Sequence, residues 1–129
     1  MTEDGKVADP RDFPSGIVAF GQLPSAEPYP GVRRQSVSTV GATITRYSFE
    51  PGASFPRHTH DQEQITVVEE GGVKMSVGSE TLSMGPGEWS LVAGKAPHGI
   101  VAGDEGARIV AIIVPRRDST DEISIEGGS

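Results

Sequence analysis

Twenty-seven of the 129 residues are glycine or proline (17 and 10). That is about a fifth of the chain, against a usual share near 12%. Turn-formers at that density leave no room for long helices, and no segment sustains a 3.6-residue apolar period. Between the turn signals lie short runs rich in Val, Ile, Thr, Tyr and Phe, the residues strands prefer. Val37–Phe49, His58–Glu69, Val73–Val77, Glu80–Met84, Trp89–Val92, Gly99–Ala102 and Arg108–Val114 read as strands. Leu23–Arg34, with Pro24, Pro28, Pro30 and Gly31, reads as irregular, and Gly71-Gly72 as a turn. Many short strands at 8–12 residue spacing predict an all-β barrel or sandwich of one domain. The expected division is a flexible N-terminal tail at 1–15, a barrel at 16–115, and a flexible acidic tail at 116–129.

Charge narrows the partners. Eighteen acidic against 11 basic residues give a net charge of −7. Nucleic-acid binding needs a basic footprint, which this chain lacks. The pairs Arg33-Arg34 and Arg116-Arg117 are too small for that role but suffice for one small anion. No cysteine is present, which excludes disulfides, Cys-zinc sites and thiol nucleophiles. No apolar run approaches the roughly 18 residues needed to cross a membrane. The polar start MTEDGKVADPRD does not resemble a secretory signal, so the expected location is the cytoplasm.

The chain has three histidines. On a strand His58 and His60, two apart, point to the same face. Gln64 shares that parity if the strand is regular, and Glu63 does not. His98 follows a Gly/Pro loop. Three imidazoles and an amide oxygen make a four-ligand set for a divalent first-row metal, since imidazole suits Zn, Cu, Fe and Ni. Glu63 competes with Gln64 for the fourth position if the turn at Asp61-Gln62 breaks the parity. Arg46, Arg108 and Trp89 lie in β-like segments, where an inward arginine would clamp a substrate anion and an inward tryptophan would stack on a ligand. Tyr47, Phe49, Met75 and Met84 read as barrel filling.

Two stretches resemble the cupin family. Pro51-Gly52-Ala53-Ser54-Phe55-Pro56-Arg57-His58-Thr59-His60, continued by Gln64 and Gly71, is similar to the first cupin motif. Pro86-Gly87-Glu88 through Ala96-Pro97-His98-Gly99 is similar to the second, with Ala93 where a proline is usual and Ala102 where an asparagine is usual. The resemblance spans about residues 37–114. It implies a single small double-stranded β-helix (jelly-roll) barrel that holds one divalent transition metal ion (Zn, Mn, Fe, Ni or Cu) on His58, His60, Gln64 and His98. A small-molecule substrate would enter at the mouth, and small cupins often form homodimers.

A neutral ligand set leaves the full 2+ charge on the ion, which favours Lewis-acid isomerase, cyclase or lyase chemistry over oxygenation. A dioxygenase and a non-catalytic ligand-binding cupin are the alternatives. The Gln-ligand pattern with Pro115-Arg116-Arg117-Asp118 resembles cupins that linearise unsaturated uronates and small polyketide cyclases. In the first group an Asp and a Phe precede the matching arginine. Placing that arginine on Arg117 sets Ala111 and Ile113 at those positions, so the acid/base Asp is absent. Proton transfer would then fall to metal-bound hydroxide or to Glu63.

Overall fold

The computed structural model describes residues 16–117 and 124–125; the expected tail at 1–15 lies outside them. A 3-10 turn at Phe20–Gln22 precedes nine strands: β1 Ser25–Tyr29, β2 Val32–Ser38, β3 Thr43–Phe49, β4 Ser54–Thr59, β5 Glu63–Val77, β6 Glu80–Met84, β7 Trp89–Val92, β8 His98–Val114 and β9 Ser124–Ile125. All pairings are antiparallel. The expectation of a jelly-roll barrel holds, and no helix among the described residues is long and apolar enough to cross a membrane.

Two long strands organise the barrel. The C-terminal half of β8 pairs with β3, and the N-terminal half of β5 lies on its other side and also pairs with β7. The N-terminal half of β8 pairs with β4, and the C-terminal half of β5 with β6. Each long strand thus belongs to two sheets, β1-β2-β3-β8-β5-β7 and β9-β4-β8-β5-β6. The register slips between Val68 and Glu70 and between Gly71 and Val73, where the strands bend from one sheet into the other. Such irregularities let a strand turn a corner without ending.

This corrects several sequence expectations. Gly71-Gly72 is a bend within β5, not a turn, and Gly99–Ala102 and Arg108–Val114 are one strand. Leu23–Arg34 is not irregular: it holds β1 and the start of β2. Pro28 fits because β1 is an edge strand, where a missing N–H costs no ladder bond. Val37–Phe49 is split by a turn, in which the Thr39 hydroxyl accepts from the Gly41 and Ala42 N–H groups. His58–Glu69 is split as well, into β4 and β5. Most of the expected tail at 116–129 lies outside the described residues; within it, Arg117 is buried and Ser124–Ile125 pairs with β4 beside His58.

Odd-numbered residues of β3 and of the C-terminal half of β8 face inward. The apolar core gathers Val32, Tyr47, Phe49, Phe55, Val68, Met75, Met84, Val92, Ile100 and Ile109. At one end of the first sheet the interior is polar. Ser36 and Thr45 hydroxyls share a hydrogen bond of 2.6 Å, and Ser38 and Thr43 one of 2.8 Å. Paired hydroxyls of this kind satisfy each other where water is excluded.

Candidate metal centre

His58 comes from β4, His60 from the loop after it, Gln64 from the start of β5 and His98 from the start of β8. The ring centroids lie 4.2 Å (His58–His98), 4.8 Å (His60–His98) and 5.5 Å (His58–His60) apart. One nitrogen from each imidazole falls within 4.8 Å of the others, and all three rings are buried.

The second nitrogen of each ring fixes its proton. Nδ1 of His58, His60 and His98 lies 2.8, 2.9 and 2.8 Å from the carbonyl oxygens of Pro56, Gln62 and Ala96. A carbonyl only accepts, so each Nδ1 carries the hydrogen and each Nε2 presents a lone pair. Gln64 Nε2 donates to Thr66 Oγ1 at 2.9 Å, which turns its oxygen the other way. Gln64 Oε1 then sits 3.0 Å from His60 Nε2 and 3.3 Å from His98 Nε2. Acceptors this close with no hydrogen between them repel, and a cation among them converts the repulsion into coordination. The donor set therefore fits a divalent transition metal, and backbone-anchored imidazoles are the usual outer support of such a site.

Burial keeps the rings neutral. It pushes His58 from 6.5 down to about 3, with His98 beside it adding to the effect. Burial lowers His60 and His98 too. The neutral forms are the ones that bind metal. The sign for stability follows from linkage. Between pH 6.5 and 3 the unfolded chain protonates His58 while the folded one does not. Metal-free protein is thus expected to hold its stability above pH 6.5 and to lose it as pH falls toward 3. The slope approaches about 1.4 kcal/mol per pH unit for one such group. Denaturant melts of chelator-treated protein from pH 8 to pH 4 check this; flat midpoints would refute it.

Other expected site residues lie elsewhere. Glu63 is exposed, on the face of β5 opposite Gln64, because β5 begins afresh after the loop and restores the alternation. Neither a ligand nor a base position at the histidines is open to it. Arg46 points outward, its guanidinium 5.0 Å from the Phe20 ring centroid. Arg108 also points outward, 3.3 Å from both Glu69 and Glu70. Trp89 is 64% exposed on the outer face of β7.

Beside two of the expected ligands and Arg117 stand Tyr47 and Phe49, which read as barrel filling, and Phe55 and Ile100, to which sequence reasoning assigned no pocket role. The pocket beside the histidines is lined by Tyr47, Phe49, Phe55, His58, Gln64, Ile100 and Arg117. Tyr47 accepts a hydrogen bond from the Arg34 side chain. Phe55 packs 4.6 Å from His58 and edge-on to Tyr47 and Tyr29. No carboxylate lines this pocket among the described residues.

Residues 45–113 match the model of the cupin domain family. The chain is a cupin. Solved structures with the same fold include KdgF from Halomonas sp., 24% identical, with a TM-score of 0.75 over 81% of this chain and 96% of that one. An RmlC-like cupin from Shewanella frigidimarina is 24% identical, with a TM-score of 0.72 over 80% and 94%. Oxalate decarboxylase from Bacillus subtilis is 17% identical, with a TM-score of 0.76 over 86% of this cupin but 33% of the decarboxylase. No curated protein sequence matches the chain. The cupin's three-histidine group is one that can hold a metal ion.

Proposed function

We propose that this cupin is a metal-dependent enzyme that moves protons on a small oxygenated organic substrate, as an isomerase, cyclase or lyase. His58, His60, His98 and Gln64 would hold the ion. The observation that carries the reading is the meeting of three Nε2 lone pairs and one amide oxygen with no carboxylate beside them among the described residues. A divalent cation there polarises a bound carbonyl or hydroxyl and acidifies bound water. The chain supplies the rest. Thr66 holds the amide oxygen inward, while Phe49, Phe55 and Ile100 keep bulk water from the reacting atoms. Tyr47 replaces Glu63 as the acid/base candidate, since its side chain lines the pocket and Arg34 fixes its hydroxyl by a hydrogen bond.

The test is proton exchange. Full-length protein purified without added metal should contain about one equivalent of a transition metal per chain, the occupancy a four-ligand site sets. Incubated anaerobically in D2O with a panel of small hydroxy- and ketoacids and sugars, it should place deuterium next to a carbonyl. A chelator should abolish the exchange and the metal restore it. Turnover strictly dependent on O2 would establish the dioxygenase alternative. Binding without exchange would establish a ligand-binding cupin.

We also infer a homodimer. Trp89 and Leu91, 64% and 56% exposed, stand on the outer face of β7 beside Val67 and Ile65 of β5. Among the described residues β7 pairs with β5 alone, so its far edge is free. In a chain of net charge −7, this uncharged strip is where two copies meet without charge repulsion, and an exposed edge needs cover. Trp89→Asp is expected to turn a dimer into a monomer in sedimentation without loss of fold. A monomeric parent protein would refute the inference.

A further inference from the structure

Two arginines lie inside the barrel. Arg34 is 6% exposed and Arg117 is 1% exposed. They are close enough for the charge of Arg117 to act on Arg34. Neither takes part in the ion pairs described above. Nε of Arg34, and Nε and Nη2 of Arg117, are buried without a hydrogen-bond partner among the described residues. The Arg34 side chain donates a hydrogen bond to the Tyr47 hydroxyl.

A buried guanidinium with open N–H groups costs several kcal/mol unless an anion meets it, and no carboxylate among the described residues is paired with either. Two of them, repelling each other, cost more. The arrangement is nonetheless firmly built. The Arg117 N–H donates to Thr43 Oγ1 at 2.7 Å, and its carbonyl accepts from Ser38 and Thr43 hydroxyls at 3.2 and 3.0 Å. Those two hydroxyls hold the backbone where the side chain enters the barrel, and the side chain lines the pocket that His58 and Gln64 also line.

We propose that Arg34 and Arg117 form an anion subsite, and that the ligand of this cupin is a short organic carboxylate. Its carboxylate meets the open guanidinium N–H groups, and its uncharged oxygen-bearing end points to the histidines. Guanidinium forks match a carboxylate in plane and spacing. Phe49, Phe55 and Ile100 line the apolar side of the pocket that Arg117, His58 and Gln64 share. A phosphate would ask for more donors, and no helix N-terminus or glycine-rich loop stands here among the described residues to provide them. The inference names the substrate class for the proposed activity, yet it can be tested without metal.

The experiment uses chelator-treated, full-length protein with pyruvate, its neutral amide pyruvamide, and inorganic phosphate as probes. Pyruvate should raise the melting temperature and bind in calorimetry, with pyruvamide at least about tenfold weaker, the equivalent of about 1.4 kcal/mol. Arg34→Met and Arg117→Met should each abolish the pyruvate-induced shift. They should also melt at or above the parent temperature when ligand-free, because each removes an uncompensated buried charge. Ligand-free variants that melt lower and retain the shift would show two structural arginines and overturn the proposal. Equal binding of pyruvate and pyruvamide by the parent would overturn it too, whatever the variants do. Tighter binding of phosphate than of pyruvate would replace the carboxylate by a phosphate ligand. Loss of proton exchange with retained pyruvate binding would fault the metal reading alone.

Discussion

His60→Ala and His98→Ala are each expected to weaken transition-metal binding by at least about 100-fold, the upper range for loss of even an outer support of such a site. The two rings stand with Gln64 Oε1 at 3.0 and 3.3 Å from their Nε2 atoms, so each removal takes away one of a few converging lone pairs. Gln64→Ala should cost less, because a neutral amide is the weakest donor of the four. Thr66→Val is the sharper test of geometry. It leaves every ligand atom in place but frees the amide that Thr66 holds at 2.9 Å. A loss of about tenfold is expected, the lower end for such outer supports. Glu63→Ala should change nothing, since that side chain is exposed on the opposite face. Competition against a chromophoric chelator at pH 7.5 reads all five variants. A metal-binding loss in Glu63→Ala with none in Gln64→Ala would reverse the assignment.

The histidines were legible because their spacing is local: His58 on β4 and His60, one residue past its end, still project to one side as alternate residues of extended chain do. The turn glycines and the third histidine completed a pattern in which the barrel could be read before any register was known. The arginines were not legible in this way. Val32–Ser38 reads Val-Arg-Arg-Gln-Ser-Val-Ser, with polar side chains on both faces, so alternation does not say that Arg34 points in and Arg33 out. The interior at Ser36, Ser38, Thr43, Thr45 and Thr66 is polar and buried, which removes the usual mark of an inward face. The outward face is apolar in return: Val110 and Ile112 flank the same strands as Arg46 and Ile44, and Trp89 stands in solvent. Hydrophobic alternation identifies the inside of a barrel only when the inside is the oilier side. Arg117 was matched to a family arginine by sequence, but its burial was hidden for another reason. It follows Pro115 in an acidic segment, and its burial depends on Ser38 and Thr43 hydroxyls 79 and 74 residues earlier.

Gly71→Ala is expected to cost at least about 3 kcal/mol, among the larger effects of single substitutions, and to lower the melting temperature by more than about 10 °C in a chain of this size. Gly71 has φ +71°, and a Cβ there would stand 2.0 Å from the Gly106 carbonyl oxygen and 2.9 Å from Ala107 Cα. Both are backbone atoms of β8, held by β3 on the far side, so neither can retreat without breaking a ladder. The effect separates into two parts by comparison with Gly52→Ala. Gly52 has φ +73° but nothing within 4 Å of its Cβ position, so that variant carries only the left-handed strain of about 1–2 kcal/mol. Both glycines belong to the same sequence motif, yet one serves a turn and the other serves the bend at which the paired strands β5 and β8 pass from one sheet into the other. His98 and Gln64 lie at opposite ends of that antiparallel ladder, and the bend brings them together. Gly71→Ala protein that stays folded at low temperature should therefore also bind the metal more weakly, whereas Gly52→Ala should not. Equal melting losses in the two variants would show that strain alone, and not the close approach of the two long strands, sets the requirement for glycine at position 71.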